Sequence, residues 1–425
     1  MDNSRQTDHR RPMPQASLPV GVRSLFKAAL AVPNLLGWLL ATGVSVAGGK
    51  FPTDGQVTFQ TGGDARTPVL WRIQAKPGAQ PENLTVKLDS IATGSGTDVG
   101  PITVSPDGFW YVFQSSRFGS DMGDGPVLTI APADFSSAET VRNSGGVIYN
   151  EGMAQALSGG KVIVFSAGGG THTRDLFVIR HGISGWGEPV SITTDSPFAF
   201  HSWPVLSPDG TKVLFNASDI SQDGGDGTRI AEVKLDGTGF QVLVTPDDGP
   251  VGGSSTYCSF PAYTGDGLGI VFEATWNGSE QVWQRNLSGG AVSVLNNGFT
   301  NDNSPNSLPG GWIASLWLGS VTGNGQHEIK IMDSSGQNDF MLTSTNSPFA
   351  QVDDIGMGAG PLWTPQLAIS QSGATIQVSW PARFEGFTLQ ASTTLAADSW
   401  KTVPATGNSA TLDPAGSTQF LRLWK

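Results

Sequence analysis

One short turn returns six times along this chain, each time followed by a strand-like run of aromatic and β-branched residues. The copies are Phe51–Gly55, Ser105–Gly108, Leu157–Gly160, Ser207–Gly210, Thr264–Gly267 and Leu308–Gly311, and their final glycines lie 44 to 57 residues apart. In the fullest copies, Ser105-Pro106-Asp107-Gly108 and Ser207-Pro208-Asp209-Gly210, proline presets φ and aspartate accepts a local backbone hydrogen bond. Glycine then takes the left-handed conformation that sends the chain back as an antiparallel partner. Further strand-like runs follow, such as 175–180 and 190–193 after the third turn and 229–234 and 241–244 after the fourth. Four strands per repeat of about fifty residues describe a propeller blade. The first copy lacks an inner strand, and residues 358–365, which read like 202–208, supply one from the far end. The ring then closes with strands from both ends and leaves no free sheet edge.

Composition agrees with an all-β chain. Of 425 residues, 56 are glycine and 27 proline, and only 14% are charged, a mixture poor in helix formers. The net charge of −12, with no Lys/Arg cluster after residue 50, argues against a phosphate-tracking nucleic-acid surface. The single cysteine, Cys258, excludes an intramolecular disulfide framework and a multi-cysteine zinc site.

Residues 1–47 have the order of an export leader. A polar stretch carrying Arg10, Arg11, Arg23 and Lys27 precedes an apolar run over 28–41 and the small residues Ser45 and Ala47. Pro33, Asn34 and Gly37 break that run, which makes it a poor permanent span. The expectation is a signal peptide or N-terminal anchor, with the remainder secreted or periplasmic and touching a membrane only through that segment.

The segment His201–Phe215, with Ser105–Gly108 and the strand after it, resembles the TolB-type propeller repeat, also called the WD40-like PD40 repeat. The resemblance spans about 315 residues. It implies a six-bladed β-propeller over 48–365, and repeats of this kind occur in periplasmic scaffolds, in propellers of prolyl-oligopeptidase-like enzymes and in some polysaccharide lyases. The tail, 366–425, is similar to a small fibronectin-III-like module of secreted bacterial proteins, carried by 374–381, 387–393, 400–403 and 419–423. The expected fold class is therefore all-β, a six-bladed propeller followed by a small β-sandwich.

In TolB-like propellers the residues ahead of each inner strand crowd one mouth of the central channel. Counting six back from each turn gives Val99, Glu151, His201, Cys258 and Asp302, and the closing strand begins near Gly358. With their polar neighbours, the candidate ligand-binding set is Asp98, Glu151, His201, Tyr257, Asp302 and Asp354. Convergence of Glu151, His201 and Asp302 would suit a divalent metal or acid–base work. Asp121 and Asp124, with Asp223 and Asp226, form Asp/Gly loops at matching places in blades two and four, weak calcium candidates whose spacing fits no EF-hand. No Gly-x-Ser-x-Gly elbow or following α/β domain is present, which excludes a complete prolyl-oligopeptidase-like enzyme. The expected function is non-enzymatic: a monomeric binding or scaffold propeller holding a protein or polysaccharide at its channel mouth, without a cofactor. The competing reading is a metal-assisted polysaccharide lyase or hydrolase.

Overall fold

The computed structural model describes residue 52 and residues 54–62, 68–92, 94, 96–118, 126–149, 153–220, 225–251, 253, 255–295, 302–318, 327–343, 352, 357–362, 367–372, 375–380, 387–393, 399–412 and 420–424. The chain divides into two compact units, one over Val46–Ala368 with Ser379–Glu385, the other containing Ile369–Val378 and Gly386–Lys425.

The larger unit is a six-bladed β-propeller. Blade two runs outward from the inner strand Asp98–Val104 through Trp110–Ser115 and Val127–Pro132 to Glu139–Thr140. Blade three follows with Ala154–Ala156, Val162–Ala167, Asp175–Gly182 and Val190–Ser191, plus a short outer pair at Gly185–Trp186. Blade four is Phe200–Leu206, Lys212–Ser218, Arg229–Lys234 and Gln241–Val244. Blade five is Cys258–Tyr263, Gly269–Ala274, Gln281–Asn286 and Ser293–Val294. Blade six is Asp302–Leu308, Trp312–Leu318, His327–Asp333 and Asp339–Met341. Blade one combines both ends: Gly358–Pro361 pairs antiparallel with Gly55–Thr61, in the register Gly55 to Pro361, and Val69–Gln74 and Glu82–Asn83 complete it.

Side chains close the ring as firmly as the ladders do. Apolar clusters fill all six blade-to-blade junctions. Tyr111 and Ile102 meet Leu70 and Leu88 between blades two and one, and Leu316 and Ile331 meet Phe59 and Ile73 between blades six and one. The other four clusters join two to three, three to four, four to five and five to six. The same second-strand position, four or five residues after the turn glycine, holds Phe59, Phe113, Phe165, Phe215 and Phe272, all at most 2% exposed. Each such burial is worth about 1.5–3 kcal/mol relative to exposure.

The turns form as their sequence dictates. Gly108 N–H donates to the Ser105 carbonyl at 2.8 Å and Gly210 N–H to that of Ser207 at 2.8 Å, while Asp107 and Asp209 accept from Phe109 and Thr211 N–H. Gly108 and Gly210 sit at φ +78° and +68°, and a Cβ on either would collide with the preceding blade, at the Pro361 carbonyl and at Leu157. At Gly108 the residue type is thus fixed twice, by conformation and by the neighbouring backbone, and at Gly210 by conformation. Between blades one and two lies a two-turn helix, Leu84–Ile91, capped by Asn83, whose Oδ1 accepts from Val86 N–H. No helix among the described residues is long and apolar enough to cross a membrane.

The smaller unit contains two three-stranded sheets. One contains Ala368–Ser372, Thr375–Ser379 and Ser409–Leu412, and the other Lys401–Thr402, Thr388–Ser392 and Phe420–Trp424. Leu389 and Ala410 are buried in it, and the Arg422 guanidinium lies 4.2 Å from the Trp400 ring centre.

Candidate functional site

The inner strands carry a repeated irregularity that shapes the channel. Their pairing slips between Val99 and Thr103, Ser202 and Val205, Ser259 and Ala262, and Asn303 and Asn306. At three of these bulges a non-glycine residue takes positive φ: Trp203 at 55°, Phe260 at 50° and Ser304 at 47°. Each is followed by proline, which disfavours helical conformations before it, so the arrangement costs on the order of 1–3 kcal/mol per site. Amides freed by the bulges are received by the preceding blade's second strand. Gln60 Oε1 accepts from Gly100 N–H at 2.7 Å, Asn216 Oδ1 from Phe260 N–H at 3.1 Å, and Glu273 Oε2 from Ser304 N–H at 3.3 Å. The result is a narrow neck, where the Trp203 and Phe260 rings meet edge to face at 4.7 Å beside Met153, Ser304, Pro305 and Met357.

Past the neck, toward the recurrent turns, the channel widens into a chamber of about 350 Å³. All six blades contribute to it, through Ser105, Gln155, Leu206, Tyr263, Asn306 and Gly360 among others. Gln155 is a strut across three blades, donating to the Val104 carbonyl at 2.8 Å and accepting from Leu206 N–H at 2.7 Å. Tyr263 is pinned from behind: its hydroxyl donates to Glu232 at 2.8 Å, and Lys212 and Gln241 hold the other carboxylate oxygen. Burial, with Glu232 beside it, raises the Tyr263 hydroxyl above its ordinary pKa, so it stays protonated. The described lining has no carboxylate, imidazole, ammonium or guanidinium group, and its hydrogen-bonding side chains are neutral.

The residues singled out from the sequence lie elsewhere. Asp98 is buried, accepts from Ser115 Oγ at 2.7 Å and pairs with Arg117 Nε at 2.8 Å. Burial nonetheless raises its carboxyl above the ordinary value. Asp302 is buried against Lys330 Nζ at 2.7 Å. Tyr257 is half-buried and donates to Glu273 at 2.7 Å, with burial and that glutamate holding it protonated. His201 is fully buried at the junction of blades three and four. None of these four lines the chamber. Each is engaged by its own partners on outer strands or the preceding blade. Glu151 and Asp354 lie outside the described residues, as do Asp121, Asp124 and Asp223, while Asp226 is exposed in a turn.

Around His201 is a cluster only half visible in the sequence. The loop 168–174 between the second and third strands of blade three brings His172 beside Asp175. Asp175 Oδ1 lies 2.8 Å from His172 Nδ1, 2.6 Å from Thr193 Oγ1 and 3.6 Å from His201 Nδ1. Burial opposes ionisation of Asp175, but hydrogen bonds from His172 and Thr193 outweigh it and lower its pKa. His201 Nδ1 is 2.8 Å from the Arg174 carbonyl and Nε2 is 2.7 Å from Ser196 Oγ. A carbonyl only accepts, so Nδ1 carries the proton and Nε2 accepts from Ser196. Burial lowers this imidazole to about 4, which keeps it neutral near pH 7. In this state the network ties blade three to blade four.

Fold and channel thus define the class: a six-bladed β-propeller whose channel has a narrow neck opening into a chamber that the described residues line without charge. No protein-family model matches the chain, and no curated protein does. Solved structures do match. A putative TolB from Agrobacterium tumefaciens is 16% identical with TM-score 0.44, over 69% of this chain and 89% of its own. TolB from Acinetobacter baumannii is 15% identical with TM-score 0.40, over 85% and 80%. A chain of a nidogen/laminin complex is 13% identical with TM-score 0.48, over 72% and 98%. The fold class and the blade count rest on the six sheets and six junctions seen in this chain.

Proposed function

We propose that this chain is a non-enzymatic binding propeller of the secreted or periplasmic compartment, which holds a neutral, polar segment of a protein or polysaccharide in its turn-side chamber. The observation that carries the reading is the chamber's lining. Ser105, Gln155, Thr264, Asn306 and Ser307 line it with neutral polar groups among the prolines 106, 208, 309 and 361. A concave site of about 350 Å³ falls in the size range of ligand pockets. General acid–base work needs a titratable group within hydrogen-bond reach of the substrate, and Tyr263, committed to Glu232, is poorly placed to supply it. Residues 366–425 are then a separate module for attachment or spacing.

The test is a glycan array and a pull-down with the full chain, repeated with Asn306→Trp, which fills the chamber from one partly exposed position. The reading expects a partner that the parent retains and the variant loses, with unchanged thermal stability. Turnover of any screened polysaccharide by the parent chain would replace it with the enzymatic reading.

A further inference from the structure

We propose that His172, Asp175 and His201 form a binding site for one divalent transition metal ion of the Zn(II) class, which pins blade three to blade four. The inference is independent of the chamber, because none of the three residues lines it. One donor atom from each residue lies within 4.8 Å of the others. Asp175 Oδ1 is 2.8 Å from His172 Nδ1 and 3.6 Å from His201 Nδ1, distances that bracket the ~3.3 Å donor–donor edge of a tetrahedron with metal–ligand bonds of about 2.0–2.1 Å. Small side-chain movements would bring the three donors round one ion. Two imidazoles and one carboxylate select a borderline ion such as Zn(II) or Co(II) over Ca(II) or Mg(II), which take oxygen. The three side chains leave a fourth position, beside which the Arg174 carbonyl already lies, 2.8 Å from His201 Nδ1.

The surroundings allow the exchange of a hydrogen-bonded network for a metal site without orphaning a group. In the metal-free arrangement His201 carries its proton on Nδ1. Ligation requires that proton on Nε2, where Ser196 Oγ at 2.7 Å can accept it as readily as it now donates. The Arg174 carbonyl, which loses Nδ1–H, keeps the backbone N–H of His201 at 3.2 Å. His172 makes the same Nδ1-to-Nε2 change, and 16% of its side chain is exposed, so water is at hand for the new N–H. Asp175 stays ionised and aimed, because Thr193 Oγ1 donates to Oδ1 and His172 N–H to Oδ2 at 3.0 Å. Such outer partners fix the tautomer and orientation of metal-bound histidine and carboxylate. Gly170 completes the cradle, since a Cβ there would collide with the Asp175 carboxylate.

The experiment uses the untagged full chain, stripped with a chelator, dialysed, and titrated with Zn(II) and separately with Co(II). The proposal expects one Zn(II) per chain by elemental analysis and visible Co(II) bands of tetrahedral intensity. His172→Ala, at the partly exposed ligand, loses both signals while keeping the parent's near-UV circular dichroism. Ser196→Ala, which removes the Nε2 partner, weakens Zn(II) binding about 10–100-fold. His181→Ala, in blade three's outer hairpin, leaves both signals intact. A parent chain that retains no Zn(II), or a His172→Ala chain that binds as the parent does, would overturn it.

Discussion

Lys330 and Asp302 provide the sharpest test of how blade six is held together. Their side chains are 2% and 0% exposed, with Nζ and Oδ2 2.7 Å apart. Lys330→Met keeps the length of the side chain and removes its charge, leaving the Asp302 carboxylate buried without that cation. Breaking one partner of a buried pair typically costs about 3–5 kcal/mol, whereas replacing both by apolar groups of similar volume is often neutral or stabilising. The expected cycle is therefore asymmetric: a loss of about 3–5 kcal/mol for Lys330→Met, and recovery of most of it in Lys330→Met/Asp302→Leu. Urea unfolding followed by tryptophan fluorescence reads this directly. With a slope near 3 kcal/mol per molar, the single variant moves the midpoint down by roughly 1–1.7 M. Raising salt from 0.05 to 0.5 M should change the loss little, because a buried pair is screened far less than an exposed one. A single-variant loss under about 1 kcal/mol, with no coupling in the double variant, would mean that the pair behaves like a solvated surface bridge, and the reasoning would fail.

Other outcomes follow from the same structure. His201 sits at about 4 when folded against an ordinary value of 6.5, so between these limits the unfolded chain binds more protons and stability rises with pH. In metal-free protein that contribution, about 3 kcal/mol, is fully present above pH ~6.5 and lost as pH falls through 4. Urea midpoints across pH 4–8 should flatten in His201→Gln, and an unchanged slope would contradict the assignment. Gly358→Ala places a methyl against the Ile102 carbonyl and Thr58 Oγ1, so it should strain the closing strand by about 1–3 kcal/mol and speed proteolysis at the ring's seam. Equal protease resistance would contradict that strand's role.

Much of the ring could be read before any coordinates, because its determinants are local. A turn ending in glycine and a strand with phenylalanine five residues on, as in Gly210 and Phe215, repeat visibly. The borrowed strand at 358–361 was legible because a blade without an inner strand leaves an edge to be paired. The site was less legible for two physical reasons. Counting six residues back from each turn assumes unbroken alternation, whereas the bulges at Trp203, Phe260 and Ser304 insert residues that exchange the faces of everything before them. Proline three residues ahead of the turn in blades four to six (Pro204, Pro261, Pro305) was the available signal for those bulges. His172 lay hidden because it reaches His201 only through the third dimension, from a loop 29 residues earlier. Asp98 and Asp302 read as channel carboxylates because their partners, Arg117 and Lys330, are 19 and 28 residues away.

The claim that the chamber is where this propeller binds its partner is tested most directly by footprinting the complex against the free chain, using hydroxyl-radical labelling of side chains read by mass spectrometry. The account predicts protection concentrated on the chamber rim, at Pro106, Pro208, Thr264 and Pro309, with the outer strands unchanged. Protection confined to the outer strands, to the neighbourhood of Tyr257 or to the C-terminal module, with the chamber rim labelled as in the free chain, would contradict it.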